Sequence, residues 1–218
     1  MDSDVAPSSE DVAAARAAMR ESPTVGVDLD LTLIDTRAAT AHALRAVNHR
    51  CGEAIDVAAF TARLGPPIRQ ELAQWVAPDR IPRAVEIFRE CFVEEGIDYL
   101  RPLPGALDLA HALTATGRRL VVITSRIPRI AAACLAACGI EASMVVGGVT
   151  GKEKSPAITA NGVRVYLGDH ELDMLAARGA GVPGVGVTTG SHRARELQRA
   201  GAAWVVDSLA EPADLVRR

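Results

Sequence analysis

The chain has 218 residues, 49% of them apolar and 23% charged, with a formal net charge of −3. That length builds one sizeable core, or one core with a small insert, in an ordinary globular protein. The slight acidity argues against a nucleic-acid partner, no apolar run reaches the ~18 residues of a membrane span, and an aromatic content of 3% leaves little for a base-stacking surface.

The acidic start Met1-Asp-Ser-Asp-Val does not read as a signal peptide, so a cytoplasmic location is expected. Residues 1–8 read as disordered, and Ser8 or Ser9 can cap a short helix through about Arg20, which is either a docking helix or a frayed extension. Val25-Gly-Val-Asp-Leu-Asp-Leu-Thr-Leu-Ile-Asp35 begins as a buried strand and carries Asp28 and Asp30 at its end. A buried, unpaired carboxylate is expensive, so two acids so close together call for water or a cation. Residues 37–51 read as a helix ending at Gly52. Asp56 can cap another helix through about Leu64, broken by Gly65-Pro66-Pro67, and residues 68–76 resume helix. Pro82 opens a further helix to Glu95. Residues 36–102 therefore read as all helix, with no strand pattern.

From there the pattern alternates. Helix 105–116 leads to strand 119–124, helix 128–138 to strand 143–147, and a short helix capped by Ser155 to strand 163–168. Helix 171–180, strand 184–187, helix 192–200, strand 203–206 and a last helix from 208 follow. Such alternation predicts an α/β protein with a parallel, Rossmann-like doubly wound sheet. The expected domains are an N-terminal extension over 1–22, a core from 23–35 and 103–218, and a helical insert over 36–102 placed to act as a lid. Cys51, Cys91, Cys134 and Cys138 lack a C-x-x-C pair and read as reduced thiols.

The carboxyl ends of parallel strands share one edge, and ligands of open α/β sheets bind there. Asp28, Asp30, Thr124, Asp169 and Asp173 all follow such ends, with Lys152 and Lys154 in a loop nearby. Clustered carboxylates without His or Cys companions suit Mg²⁺. A hydroxyl, an ammonium and helix-start N–H groups are what a phosphoryl group requires.

Asp28-x-Asp30-x-Thr32, a strand ending in Thr124, a lysine and Gly168-Asp169-x-x-x-Asp173 together resemble the four motifs of the haloacid dehalogenase superfamily. The helical insert resembles the small cap of its phosphoglycolate-phosphatase-like members. The resemblance implies a phosphomonoester hydrolase of a small phosphorylated metabolite, with Mg²⁺ as cofactor. Asp28 would be the nucleophile and Asp30 the general acid and base. Thr124 would bind the phosphoryl oxygens and Lys154 would neutralise charge. Asp28, Asp169 and the backbone carbonyl of Asp30 would hold the metal, supported by Asp173. A phosphosugar mutase of the same superfamily, or a non-catalytic phospho-acceptor relative, are the alternatives.

Three assignments depart from the common pattern or rest on placement alone. The usual Lys-Pro is here Lys154-Ser-Pro, a departure that leaves Lys152 as a competitor; Lys154 is favoured because it immediately precedes the helix that leads back into the sheet. Ser125-Arg126 stands where Asn-Lys is common, so Ser125 serves as a second hydroxyl or caps the next helix. Gly65 to Arg69 is the insert segment expected to reach the substrate, with Arg37 and Arg63 as further cations. Thr32 reads as tying the turn that holds the acids, and His170 as facing solvent.

Overall fold

The structure is a computed structural model and describes residues 7–217. The expectation of disorder at residues 1–6 lies outside the described residues. Helix α1, Ser9–Glu21, starts at a capping box in which Ser8 accepts from the Asp11 N–H and Asp11 accepts from Ser8, satisfying donors that the first turn leaves open. It is a docked helix. Ala15 and Met19 are fully buried, α1 lies against the last strand and last helix, and Arg118 Nε donates to Ser22 O at 2.6 Å. Met19→Ala should therefore cost about 2–4 kcal/mol, the range for a large core side chain cut to Ala; urea unfolding would measure it, and a loss below about 0.5 kcal/mol would mean the helix is dispensable.

Strand β1, Thr24–Val27, is buried along its whole length, as expected for a strand covered on both faces. After it the chain turns back on itself, with the Leu33 and Ile34 N–H groups donating to Leu29 O and Leu31 at φ 56°. A left-handed leucine costs roughly 1–2 kcal/mol, and Thr189 holds the turn by donating its hydroxyl to Leu31 O. Ile34–Asp35 then forms β2, which pairs antiparallel with β3, Arg101–Pro102. The expectation of no strand in 36–102 is thus corrected at its last residues. A two-residue ribbon has no periodicity to read, and it clamps the two ends of the helical segment together. Between its strands run α2, Arg37–Cys51, α3, Val57–Thr61, α4, Ile68–Leu72, and α5, Ile81–Glu94, followed by a 3-10 turn at Gly96–Tyr99. Helix α4 is shorter than its sequence suggests, because the chain from Ala73 proceeds in turns.

The remaining chain alternates as its pattern predicts: α6, Ala106–Ala115; β4, Arg119–Thr124; α7, Pro128–Ala137; β5, Met144–Gly147; α8, Lys154–Ala160; β6, Val165–Gly168; α9, Glu171–Gly179; β7, Gly184–Val187; α10, Ala194–Arg199; β8, Ala202–Val206; and α11, Ala210–Val216. Six strands form one parallel sheet in the order β5-β4-β1-β6-β7-β8. The order reverses direction at β1, and such switch points open a crevice at the carboxyl edge. One face of the sheet buries Val25, Val27, Val122 and Leu167 in the main core. The other buries Val121, Ile123 and Tyr166 with residues of α8 and α9.

Candidate active site

Asp28 follows the last residue of β1 and continues its ladder, its N–H donating to Leu167 O at 2.9 Å. The neighbouring strands end beside it. Val27 stands opposite Val122 of β4 and Leu167 of β6, which carries Thr124 to one side of Asp28 and Asp169 to the other. Asp28, Asp169 and Asp173 are all buried, and oxygens of all three carboxylates lie within 4.8 Å of one another.

Among the described residues, one cation is paired with this cluster. Lys154 Nζ donates to Asp28 Oδ1 and to Asp173 Oδ1, each at 2.7 Å, and is itself 6% exposed. Lys152 is exposed. The lysine is aimed by local structure that the sequence reading missed. Thr150 and Glu153 form a capping box around a 3-10 turn at Gly151–Glu153, so α8 begins at Lys154 itself. Ser155 is therefore not the cap; it lies inside the helix and donates to Ala176 O at 3.0 Å. Beneath the ammonium lies the Tyr166 ring, 5.9 Å from Nζ, with its hydroxyl donating to Ile123 O.

Three buried carboxylates against one ammonium leave an excess of negative charge where water is scarce. Burial drives Asp28 up to about 7, with Asp173 and Asp30 adding to the rise and Lys154 opposing it. Burial also pushes Asp169 well above the usual carboxylate range, reinforced by Asp173 and Asp28. The ammonium loses hydration on burial, yet Asp173 and Asp28 hold it well above the ordinary lysine value. An all-oxygen cluster of this charge suits a hard divalent cation such as Mg²⁺, with Asp28, Asp169 and Asp173 as the groups able to hold it.

The rest of the shell fixes these acids. Thr32 donates its hydroxyl to Asp169 Oδ1 at 2.8 Å, so it orients a carboxylate across the site instead of tying its own turn. Gly190 approaches Asp169 so closely that a Cβ there would stand 1.7 Å from Oδ2, and no side chain fits. His170 is part-buried, not solvent-facing. Its Nδ1 accepts from the Leu172 N–H at 3.1 Å, its ring meets that of His192 at 4.1 Å, and burial together with His192 lowers its pKa. Gly65 sits against this imidazole, where a Cβ would come within 2.6 Å of Cδ2.

Asp30 stands apart from the triad. Arg126 grips it, with Nε 2.9 Å from both carboxylate oxygens and Nη2 2.6 Å from Oδ1, and Thr36 donates to Oδ1 at 2.7 Å. The guanidinium lies 4.1 Å from the Phe92 ring centroid, between β4 and α5. The sequence reading gave Arg126 no role. The signal lay in the register: the offset that puts Val122 opposite Val27 carries Asp30 to the level of Ser125 and Arg126. Thr124 Oγ1 accepts from the Arg126 N–H at 3.2 Å, and Ser125 does not cap α7, whose N-cap is Ile127.

Two spaces meet here. A small one of about 20 Å³ lies over Asp28, Lys154, Asp169 and Asp173. A larger one of about 120 Å³ runs beneath the helical segment, between Phe60, Ile68 and Phe88 on one side and Ile127 and Ile130 on the other. Asp30, Gly65 and Ser125 line both, while Arg69 lines the larger. Arg37 and Arg63 are engaged elsewhere, with Asp35 and Glu71 respectively.

A family model described as haloacid dehalogenase-like hydrolase matches residues 27–187. A Dickeya dadantii protein named "Probable phosphatase IndB" is 28% identical over 209 residues, 87% of this chain and 91% of its own. A phosphoglycolate phosphatase of Caulobacter vibrioides is 28% identical over 217 residues, covering 85% of this chain and 86% of that one. A solved hydrolase of the haloacid dehalogenase-like family from Streptococcus pneumoniae shares the fold with a TM-score of 0.76 at 22% identity, over 86% of this chain and 95% of that one.

Proposed function

The chain belongs to the haloacid dehalogenase-like hydrolase family, and on that premise we propose that it is a Mg²⁺-dependent phosphomonoester hydrolase of a small phosphorylated metabolite. The observation that carries the reading is the Asp28 carboxylate. Lys154 takes Oδ1, no hydrogen bond holds Oδ2 among the described residues, and Asp28 lines the small space over the triad.

In this reading Asp28 Oδ2 attacks phosphorus as the ester P–O bond breaks, forming an aspartyl phosphate. Asp30 gives a proton to the departing alcohol oxygen. It then takes one from the water that attacks the aspartyl phosphate, which releases phosphate and restores Asp28. Thr124 and Ser125 bind phosphoryl oxygens at the end of β4, and Lys154 offsets their charge. Asp28, Asp169 and Asp173 hold Mg²⁺, which supplies electrostatic stabilisation of the phosphoryl group. The helical segment 36–102 acts as a cap, with Gly65 against His170 closing the small space from above. The larger cavity receives the leaving group, and glycolate from phosphoglycolate is a candidate by the names of the relatives.

Metal and pH give a test independent of the substrate. Asp28 and Asp169 are raised in the folded protein above the ordinary carboxylate value of 3.8. Their contribution to stability is therefore present in full below that value and lost as pH rises through about 7 in metal-free protein. A cation that replaces those protons binds better as pH rises. In EDTA, Tm should fall between pH 5.5 and 8, and the rise in Tm produced by saturating Mg²⁺ should be larger at pH 8. A gain from Mg²⁺ that is equal at both values would mean the triad does not bind it.

A further inference from the structure

The segment that follows β7 crosses the carboxyl edge of the sheet beside Asp169. Its first residue is anchored to the end of β8: the Thr188 N–H donates to Val206 O at 3.0 Å, and the Thr188 hydroxyl donates to Asp207 Oδ1 at 3.0 Å. Thr189 is tied twice. Its hydroxyl donates to Leu31 O, in the turn where Leu31 takes φ 56°. Its carbonyl accepts from Arg37 Nη2 at 2.6 Å. Gly190 comes next and lies against the Asp169 carboxylate with no room for a side chain. His192 then meets the ring of His170, the residue after Asp169.

Asp169 is thus confined from two sides, by the Thr32 hydroxyl at Oδ1 and by the Gly190 backbone near Oδ2. The two elements that confine it, the turn after β1 and the segment after β7, are joined by the Thr189–Leu31 bond. Arg37 joins both to the helical segment, of which it is an entry residue. Its N–H donates to Asp35 Oδ1 at 3.0 Å and its Nη1 lies 3.2 Å from Asp35 Oδ2, so β2 fixes the guanidinium that reaches Thr189. A carboxylate that binds a metal depends on outer partners to keep its orientation. We propose that Arg37 and Thr189 are positioning residues for the metal: through the Thr189 carbonyl, the root of the helical segment holds Gly190 against Asp169, and Mg²⁺ affinity depends on that hold. The coupling is reciprocal, so Mg²⁺ in turn favours the seating of the segment that keeps Arg37 on Thr189. This inference rests on the reading that the triad holds Mg²⁺.

The test is Mg²⁺ binding by isothermal titration calorimetry, with full-length protein at pH 8 and no substrate. Arg37→Ala should raise the Kd for Mg²⁺ by about 10–100-fold, the scale for losing an outer partner of a metal ligand. The sign separates this from simple electrostatics, since removing a nearby cation that positions nothing would relieve repulsion and tighten Mg²⁺. Arg37→Lys keeps the charge without the planar fork that spans Asp35 and Thr189, and it should also weaken binding. Thr189→Val should raise the Kd, and Thr189→Ser, which keeps the hydroxyl, should restore it to within about threefold of the wild type. Arg63→Ala is the control: that cation is paired with Glu71 and Gln74, and its loss should leave the Kd unchanged. Thr189→Val and Thr189→Ser carry the test if Arg37→Ala fails to fold. An unchanged or lower Kd in Arg37→Ala or Thr189→Val, or equal losses in Thr189→Val and Thr189→Ser, overturns the inference alone. No Mg²⁺ binding by the wild type overturns the metal reading of the triad and the inference with it.

Discussion

Asp28→Asn should abolish turnover while leaving the protein folded. The amide nitrogen cannot attack phosphorus and the amide oxygen is a poor nucleophile, so the covalent route closes. The loss should be on the order of 10⁴–10⁶ in kcat, the scale seen when the nucleophile of a covalent mechanism is removed. Stability separates this from unfolding. Asp28 is one of three buried carboxylates sharing one ammonium, so replacing it with a neutral isostere relieves repulsion, and Lys154 keeps Asp173. In metal-free protein at pH 8 the variant should have a Tm equal to or above the wild type. An inactive variant with a much lower Tm would leave its inactivity to misfolding and contradict this account of the site.

Lys154→Ala should do the opposite to stability. It strips the ammonium that donates to Asp28 and Asp173 and leaves a gap over Tyr166. Removing one partner of a buried ion-pair network costs about 3–5 kcal/mol. Because Asp28 and Asp169 take up protons more readily than exposed carboxylates, the cost should be smaller at pH 5.5 than at pH 8. Activity should fall by about 10²–10³, the effect of losing one fixed electrostatic partner of a developing charge. Lys152→Ala is the control. That side chain is exposed, and its loss should change stability by less than about 0.5 kcal/mol. Urea unfolding at both pH values, with kcat measured beside it, compares the two. Equal effects at 152 and 154 would mean that the ammonium contacts at Asp28 carry no weight.

The sheet and the position of its acids were legible because both depend on short-range patterns. Runs such as Leu120 to Ile123 are buried on both faces, so they read as strands, and each ends where polar residues begin. Since parallel strands share an edge, Asp28, Thr124 and Asp169 could be gathered without coordinates. What escaped depends on register and on elements too short for a period. The β2–β3 ribbon is two residues on each side. The 3-10 turn before Lys154 displaced Ser155 from its expected cap position. The grip of Arg126 on Asp30 spans 96 positions of sequence and needs the β1–β4 alignment to be seen. Thr32 was placed in the right region with the wrong partner, because its turn brings the hydroxyl across to Asp169.

The central claim is that phosphorus is carried by Asp28. The direct measurement is to quench the enzyme with acid during turnover of p-nitrophenyl phosphate with Mg²⁺, reduce it with borohydride, and map the product by peptide mass spectrometry. An aspartyl phosphate is reduced to homoserine, and the account predicts that change at Asp28 alone, absent without substrate and absent in EDTA. Turnover with the label at His170 or Asp30, or with no labelled carboxylate under conditions that trap acyl phosphates, would contradict it.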